Sequence, residues 1–184
     1  ELLEHVRLGG NYLHRFPAQM SGGEKQRVAI ARAFAANPAV VLCDEVVSAL
    51  DVSVQAAVLE VLATLQREQH VSYLFITHDL AVVRAFADHV VVLYQGRICE
   101  TGSVAQIFVP PWHPYTRTLL DAVLEPSPHG APQLLANDVS EREPPLRGCP
   151  FQRRCPLHQG ALCNEESPPW QSDGADHALR CHIP

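Results

Sequence analysis

Two short apolar runs, residues 40–43 (Val-Val-Leu-Cys) and 71–76, stand on either side of a long helical pattern. That alternation restricts the first hundred residues to a parallel α/β layer. Both runs are short, and residues 40–43 are continuously apolar, as a strand buried on both faces should be. Between the runs, residues 52–68 carry Val54, Val58, Val61, Leu62 and Leu65 near helical spacing. An earlier helix of good formers covers residues 24–36 and stops at Asn37-Pro38. Asp79 can cap a further helix reaching about Ala87. Residues 90–94 and 97–100 flank Gln95-Gly96, a plausible tight hairpin turn.

After Gly102 the chain changes character. Pro110-Pro111 and His113-Pro114 punctuate it, residues 115–124 are helical, and Pro126 ends them. Residues 125–147 are rich in Pro and polar side chains and read as a linker or irregular wrap. Residues 148–184 are too few to fold on an apolar core alone, so a metal would supply the missing stability. The division is therefore 1–102, 103–147 and 148–184. Four of the six cysteines fall in the last part, as Cys149, Cys155, Cys163 and Cys181, in the pattern C-x5-C-x7-C-x17-C. In a reducing compartment such a cluster reads as a metal site before it reads as disulfides. Four soft thiolates suit an iron–sulfur cluster or a structural zinc, and the tight C-x2-C hooks common at zinc are absent. Cys43 and Cys99 lie in expected strands and read as inert core.

Composition excludes some classes of function. At 47% apolar and 18% charged the chain has a globular composition, and a net charge of −6 gives no reason to expect nucleic acid as a partner. No apolar run is long enough to span a bilayer.

The chemistry-bearing residues lie between Met20 and His78. Ser21-Gly22-Gly23 opens a helix; small residues let a polyphosphate approach free backbone N–H groups at the positive end of the helix dipole. The plain alternative is a helix cap. Asp44 and Glu45 leave the first strand at its carboxyl end, where open α/β sheets bind ligands, and adjacent acids there point in different directions. Asp51 follows Ser48-Ala49-Leu50 and can cap the next helix. His78 follows the second strand, where a histidine can contact a phosphate.

In order and spacing these pieces resemble the nucleotide-binding domain of ATP-binding-cassette (ABC) transporters: signature motif, Walker B, D-loop and switch histidine. The resemblance implies a partial P-loop NTPase fold, with a parallel sheet, flanking helices and a small irregular Cys-rich C-terminal region. It implies that Ser21, Gly22 and Gly23 face the γ-phosphate of ATP held by a partner domain, so that two ATPase subunits or domains pair head to tail. Asp44 would hold Mg²⁺ through water. Glu45 would orient or deprotonate the attacking water, His78 would sense the γ-phosphate, and Asp51 would couple the two sites. Met20 and Glu24 replace the commoner Leu and Gln, and Val46-Val47 replaces Pro-Thr. Asp51-Val52-Ser53-Val54-Gln55, His113-Pro114-Tyr115-Thr116 and the cysteine tail narrow the resemblance to the oligopeptide/dipeptide (and nickel) importers, some of which carry a [4Fe–4S] cluster on such a tail. Membrane permease subunits and a peripheral place on the cytoplasmic face of the membrane follow from that subgroup.

No G-x-x-x-x-G-K-[ST] loop occurs in the 184 residues, and residue 1 is Glu. The chain therefore reads as the C-terminal part of a longer ATPase, inactive alone. Two other readings compete. A non-hydrolysing metal-binding or interaction module fits the absent loop. A DNA-repair or chromosome-maintenance ATPase shares the signature and Walker B but needs long coiled coils, which are not seen.

Overall fold

The computed structural model describes residues 2–110, 113–124, 145–172, 174 and 176–183. The chain divides into two compact units, Glu1–Phe86 and Ala87–Pro184. The proline-rich stretch expected as a linker lies mostly outside the described residues.

The first unit begins with α1 (Leu2–His5) and two short 3₁₀ turns, Gly10–His14 and Pro17–Gln19. Then come α2 (Gly22–Phe34), β1 (Val40–Asp44), α3 (Val52–Gln69), β2 (Ser72–Ile76) and α4 (Leu80–Phe86). β1 and β2 pair in parallel, with Val40 opposite Ser72 and Asp44 opposite Ile76. α3 is the hub of the core. Val58, Val61, Leu62 and Leu65, three and four residues apart, are at most 1% exposed and meet Ile30, Ala31 and Phe34 of α2, Val47, Val71 and Val82. The 3.6-residue repeat puts those four side chains on one face, and burying each contributes about 1.5–3 kcal/mol.

One expectation is corrected here. β1 is not buried on both faces: Val40 and Leu42 are each 62% exposed. The opposite face of β1 and β2 rests on the core through Val41, Cys43, Tyr73 and Phe75. Among the described residues β1 and β2 pair as a two-stranded layer packed on one face, so successive side chains of the apolar run alternate between core and surface.

The second unit contains β3 (His89–Tyr94), β4 (Arg97–Ser103), α5 (Val104–Phe108), α6 (Pro114–Leu124), α7 (Ala161–Glu165), β5 (Trp170–Ser172) and β6 (Ala178–Arg180). β3 and β4 form the expected hairpin. Gln95 (φ 48°) and Gly96 (φ 75°) both take left-handed conformations, as a two-residue turn matched to strand twist requires. The sheet continues in the order β3-β4-β6-β5, all antiparallel. The tail is therefore more regular than its sequence suggests: two of its segments are strands, and one adds to the β3–β4 hairpin. By compactness, residues 87–102 group with the chain that follows them.

Candidate functional site

Glu45 follows the last residue of β1 and takes a left-handed backbone (φ 46°), which costs a non-glycine residue free energy. Its N–H donates to the Ile76 carbonyl (2.9 Å), so the strand end is still held to β2. The Ser48 hydroxyl donates to the Glu45 carbonyl (2.9 Å), and the Ser48 N–H does the same at 3.2 Å. This turn carries the Glu45 side chain to the loop after β2, where Glu45 Oε1 lies 3.1 Å from Nδ1 of His78. Both side chains are more than half exposed. Asp44 is exposed and pairs in the ladder with Ile76, two residues before His78. The parallel register thus brings Asp44, Glu45 and His78 to one strand end. Ser48, whose Oγ also reaches Glu45 Oε2 at 3.5 Å, joins them, a role that its place in Ser48-Ala49-Leu50-Asp51 does not signal.

A second group forms at the amino end of α2. Ser21 is the helix cap: its Oγ accepts from the Glu24 N–H (3.3 Å), and Glu24 Oε2 accepts from the Ser21 N–H (2.7 Å). The other Glu24 oxygen accepts from the Tyr12 hydroxyl, and the Arg15 guanidinium sits 4.3 Å from the Tyr12 ring centre. The Tyr12 bond first, and the Ser21 N–H second, hold the Glu24 carboxyl below its ordinary value. Tyr12 was not legible beforehand, because nothing in its sequence context marks a partner twelve residues away.

Asp51 caps α3. Its Oδ1 accepts from the Ser53 hydroxyl (2.7 Å) and the Val54 N–H (3.0 Å), and these two bonds lower its carboxyl value. The glycines bring the two helix starts together. A Cβ on Gly22 would touch Leu50 at 3.5 Å, and one on Gly23 would lie 2.4 Å from Val54 Cγ1. Gly23→Ala should therefore cost about 1–3 kcal/mol of stability. Val54→Ala should recover most of it; urea unfolding of the single and double variants reads this directly, and equal losses in both backgrounds would remove Val54 as the obstacle.

None of the four tail cysteines is joined in a disulfide. Cys149 and Cys163 share one buried cluster with Tyr94, Cys99 and Phe151, and Cys155 packs against it. The Cys149 N–H donates to the Cys163 carbonyl (2.8 Å). Each sulfur meets backbone N–H groups: Gln159 at Cys163 and Ile183 at Cys181, both at 3.4 Å, Phe151 and Gln152 at Cys149, and Leu157 at Cys155. Burial pushes the Cys149 and Cys155 thiols up. The donor chemistry suits a soft metal. Among the described residues, however, no three His, Cys, Asp or Glu side chains stand as a ready ion-holding group. Cys43 and Cys99 are buried as expected, their thiols pushed up to about 11 and about 12.

Known proteins resemble this chain along its whole length. Residues 1–48 match the ABC transporter family model, and residues 99–163 match the model of the oligopeptide/dipeptide transporter C-terminal region. Both matches point to the ABC transporter family. It is 38% identical over 187 residues to the oligopeptide transport ATP-binding protein AppF of Bacillus subtilis, covering all of this chain and 56% of AppF. It is 41% identical over 180 residues to OppF of Haemophilus influenzae, covering 96% of this chain and 54% of OppF. A Brucella abortus protein provisionally named as a peptide import ATP-binding protein is 45% identical over 184 residues, 100% of this chain and 54% of its own. The chain thus spans about half the length of the curated relatives it matches. A solved ATP-binding cassette of an ABC transporter, in an ADP conformation, superposes with a TM-score of 0.54 at 24% identity, over 60% of this chain and 44% of that one, and so speaks for the fold. Among the described residues no helix is long and apolar enough to cross a membrane.

Proposed function

We propose that this chain supplies the hydrolytic half of an ATP-driven peptide importer subunit. What supports the reading most is the 3.1 Å approach of Glu45 to His78 at the carboxyl end of paired parallel strands. In this reading Glu45 orients and deprotonates the attacking water, and His78 contacts the γ-phosphate and holds the Glu45 carboxylate in place. Asp44, a hard oxygen donor at the same strand end, would hold Mg²⁺ through water; the metal neutralises phosphate charge when bound. Ser21, Gly22 and Gly23 present a capped helix mouth to ATP on a partner ATPase, and Asp51 lies beside that mouth to couple the two sites. The partners are a second ATPase in head-to-tail pairing and membrane permease subunits, at the cytoplasmic face of the membrane. The functional division 1–102, 103–147 and 148–184 belongs to the same reading.

The four tail thiols are proposed to hold a [4Fe–4S] cluster, with zinc the alternative. Their soft donors and the N–H groups facing each sulfur support it, although no three are yet gathered as ligands. A nickel importer is the neighbouring substrate class.

A second reading rests on one observation: the 184 residues contain no G-x-x-x-x-G-K-[ST] loop. By itself the chain is then a module that binds metal or a partner. The purified 184-residue chain should show no ATP turnover above background and no tight ATP binding. Measurable hydrolysis by that preparation would contradict this. Anaerobic purification should give a brown protein absorbing in the sulfur-to-iron charge-transfer region; a colourless protein with one zinc per chain rejects iron–sulfur.

A further inference from the structure

Glu100 and His177 are the most deeply buried charged or titratable pair among the described residues, at 0% and 2% exposed, and none of the chemistry above uses them. Glu100 Oε1 accepts from His177 Nε2 at 2.7 Å, across 77 residues of sequence. The other carboxylate oxygen accepts from the His113 N–H at 3.2 Å. His113, also 2% exposed, accepts the Tyr115 N–H on Nδ1 (3.1 Å), which leaves its other nitrogen to donate, and that bond goes to the Arg180 carbonyl. The two histidines therefore grip β6 (Ala178–Arg180) at either end: His177 precedes it and Arg180 closes it. Cys181 is the next residue.

β6 needs such a grip. It is three residues long and meets β4 in two pairs, Glu100 with Leu179 and Thr101 with Ala178. So short a ladder specifies register weakly, and a one-residue slip would reverse every side chain and shift Cys181 by about 3.3 Å. Space for the grip is prepared on β4: a Cβ on Gly102 would stand 2.9 Å from the His177 ring.

We propose that Glu100, with His177 and His113, is the positioning device of the cysteine tail, fixing the register of β6 on β4 so that Cys181 is delivered to the neighbourhood of Cys149 and Cys155. The second half of this statement rests on the proposal that the four thiols act as one soft-metal set. The register half does not. It also gives the His113-Pro114-Tyr115-Thr116 motif a task that neither ATP chemistry nor simple helix packing supplies.

The test uses the 184-residue chain, metal-free in chelator, with iodoacetamide labelling of each cysteine followed by mass spectrometry. Buried Cys163, on α7 of the same compact unit, is the internal control, and buried Cys43 reports on the other unit. Glu100→Ala and His177→Ala should each raise the labelling rate of Cys181 by about tenfold or more, as loss of a buried hydrogen bond eases local opening. Cys163 and Cys43 should stay at the wild-type rate. Glu100→Gln keeps one acceptor of two and should fall between Glu100→Ala and wild type. Wild-type labelling of Cys181 in Glu100→Ala overturns the proposal. Cys163 rising in step with Cys181 in both alanine variants also overturns it, by making the pair a general stability element of the second unit. The metal reading is judged separately, by iron and zinc per wild-type chain after reconstitution with iron and sulfide or with zinc. Exposure of Cys181 in the variants, with no metal held by wild type, removes the metal set and leaves the positioning device.

Discussion

Gly148→Ala should lower the stability of the second unit by about 2–5 kcal/mol, the sum of a left-handed backbone penalty and overpacking. Gly148 has φ 77°, where an L side chain is strained. A Cβ there would stand 2.3 Å from the Cys163 carbonyl oxygen and 2.5 Å from that of Asn164. These are backbone atoms, so no rotamer change relieves the clash. The adjacent bond from the Cys149 N–H to the Cys163 carbonyl depends on the same close approach. The Cys149 loop would have to move away from α7, and the two thiols would separate. Urea unfolding followed by Trp fluorescence measures the loss. Gly160→Ala separates the two causes, since Gly160 also has positive φ but nothing within 4 Å of its Cβ position. A Gly148→Ala midpoint equal to that of Gly160→Ala would show that steric contact with Cys163 contributes nothing.

The second large effect concerns turnover. In a polypeptide that includes these residues and a phosphate-gripping loop, Glu45→Gln should reduce ATP hydrolysis by ~10²–10⁴-fold with little change in nucleotide affinity. Glutamine keeps the length of the side chain and can still bond His78 across the 3.1 Å now spanned, so the loop geometry survives. What disappears, in the proposed role, is the basic oxygen that would take a proton from water. Single-turnover and steady-state rates distinguish this from lost binding. Turnover within tenfold of wild type would remove Glu45 as the general base and reduce its contact with His78 to a surface hydrogen bond.

Much of the first unit was legible because its signals are local. The repeat at Val58, Val61, Leu62 and Leu65 identifies α3, Asp79 caps α4 through the Ala81 and Val82 N–H groups, and Gln95-Gly96 makes the expected turn. Each depends on residues within about four positions of one another, where chain geometry alone sets the partner. The candidate residues around Glu45 rest on an apolar run that ends in paired acids and on the order of the motifs around it. Their mutual distances do not follow from sequence, since Glu45 and His78, 33 residues apart, meet only through the parallel register of two strands. The exposed face of β1 was misjudged for a related reason: a run of apolar letters states what a strand prefers, not what covers it.

The tail shows the limit most clearly. Its cysteines could be counted and assigned soft-donor chemistry from their spacing. That Glu100 would take His177 as a partner, that β6 would join β4, and that Gly148 would lie against Cys163 could not be read from spacing at all. Local elements and the kinds of chemistry available were set by neighbouring residues, whose conformational preferences act before the chain folds back on itself. Which carboxylate meets which histidine, and which glycine has no room for a methyl group, was decided by contacts between distant segments, because burial and hydrogen-bond satisfaction are properties of the packed whole.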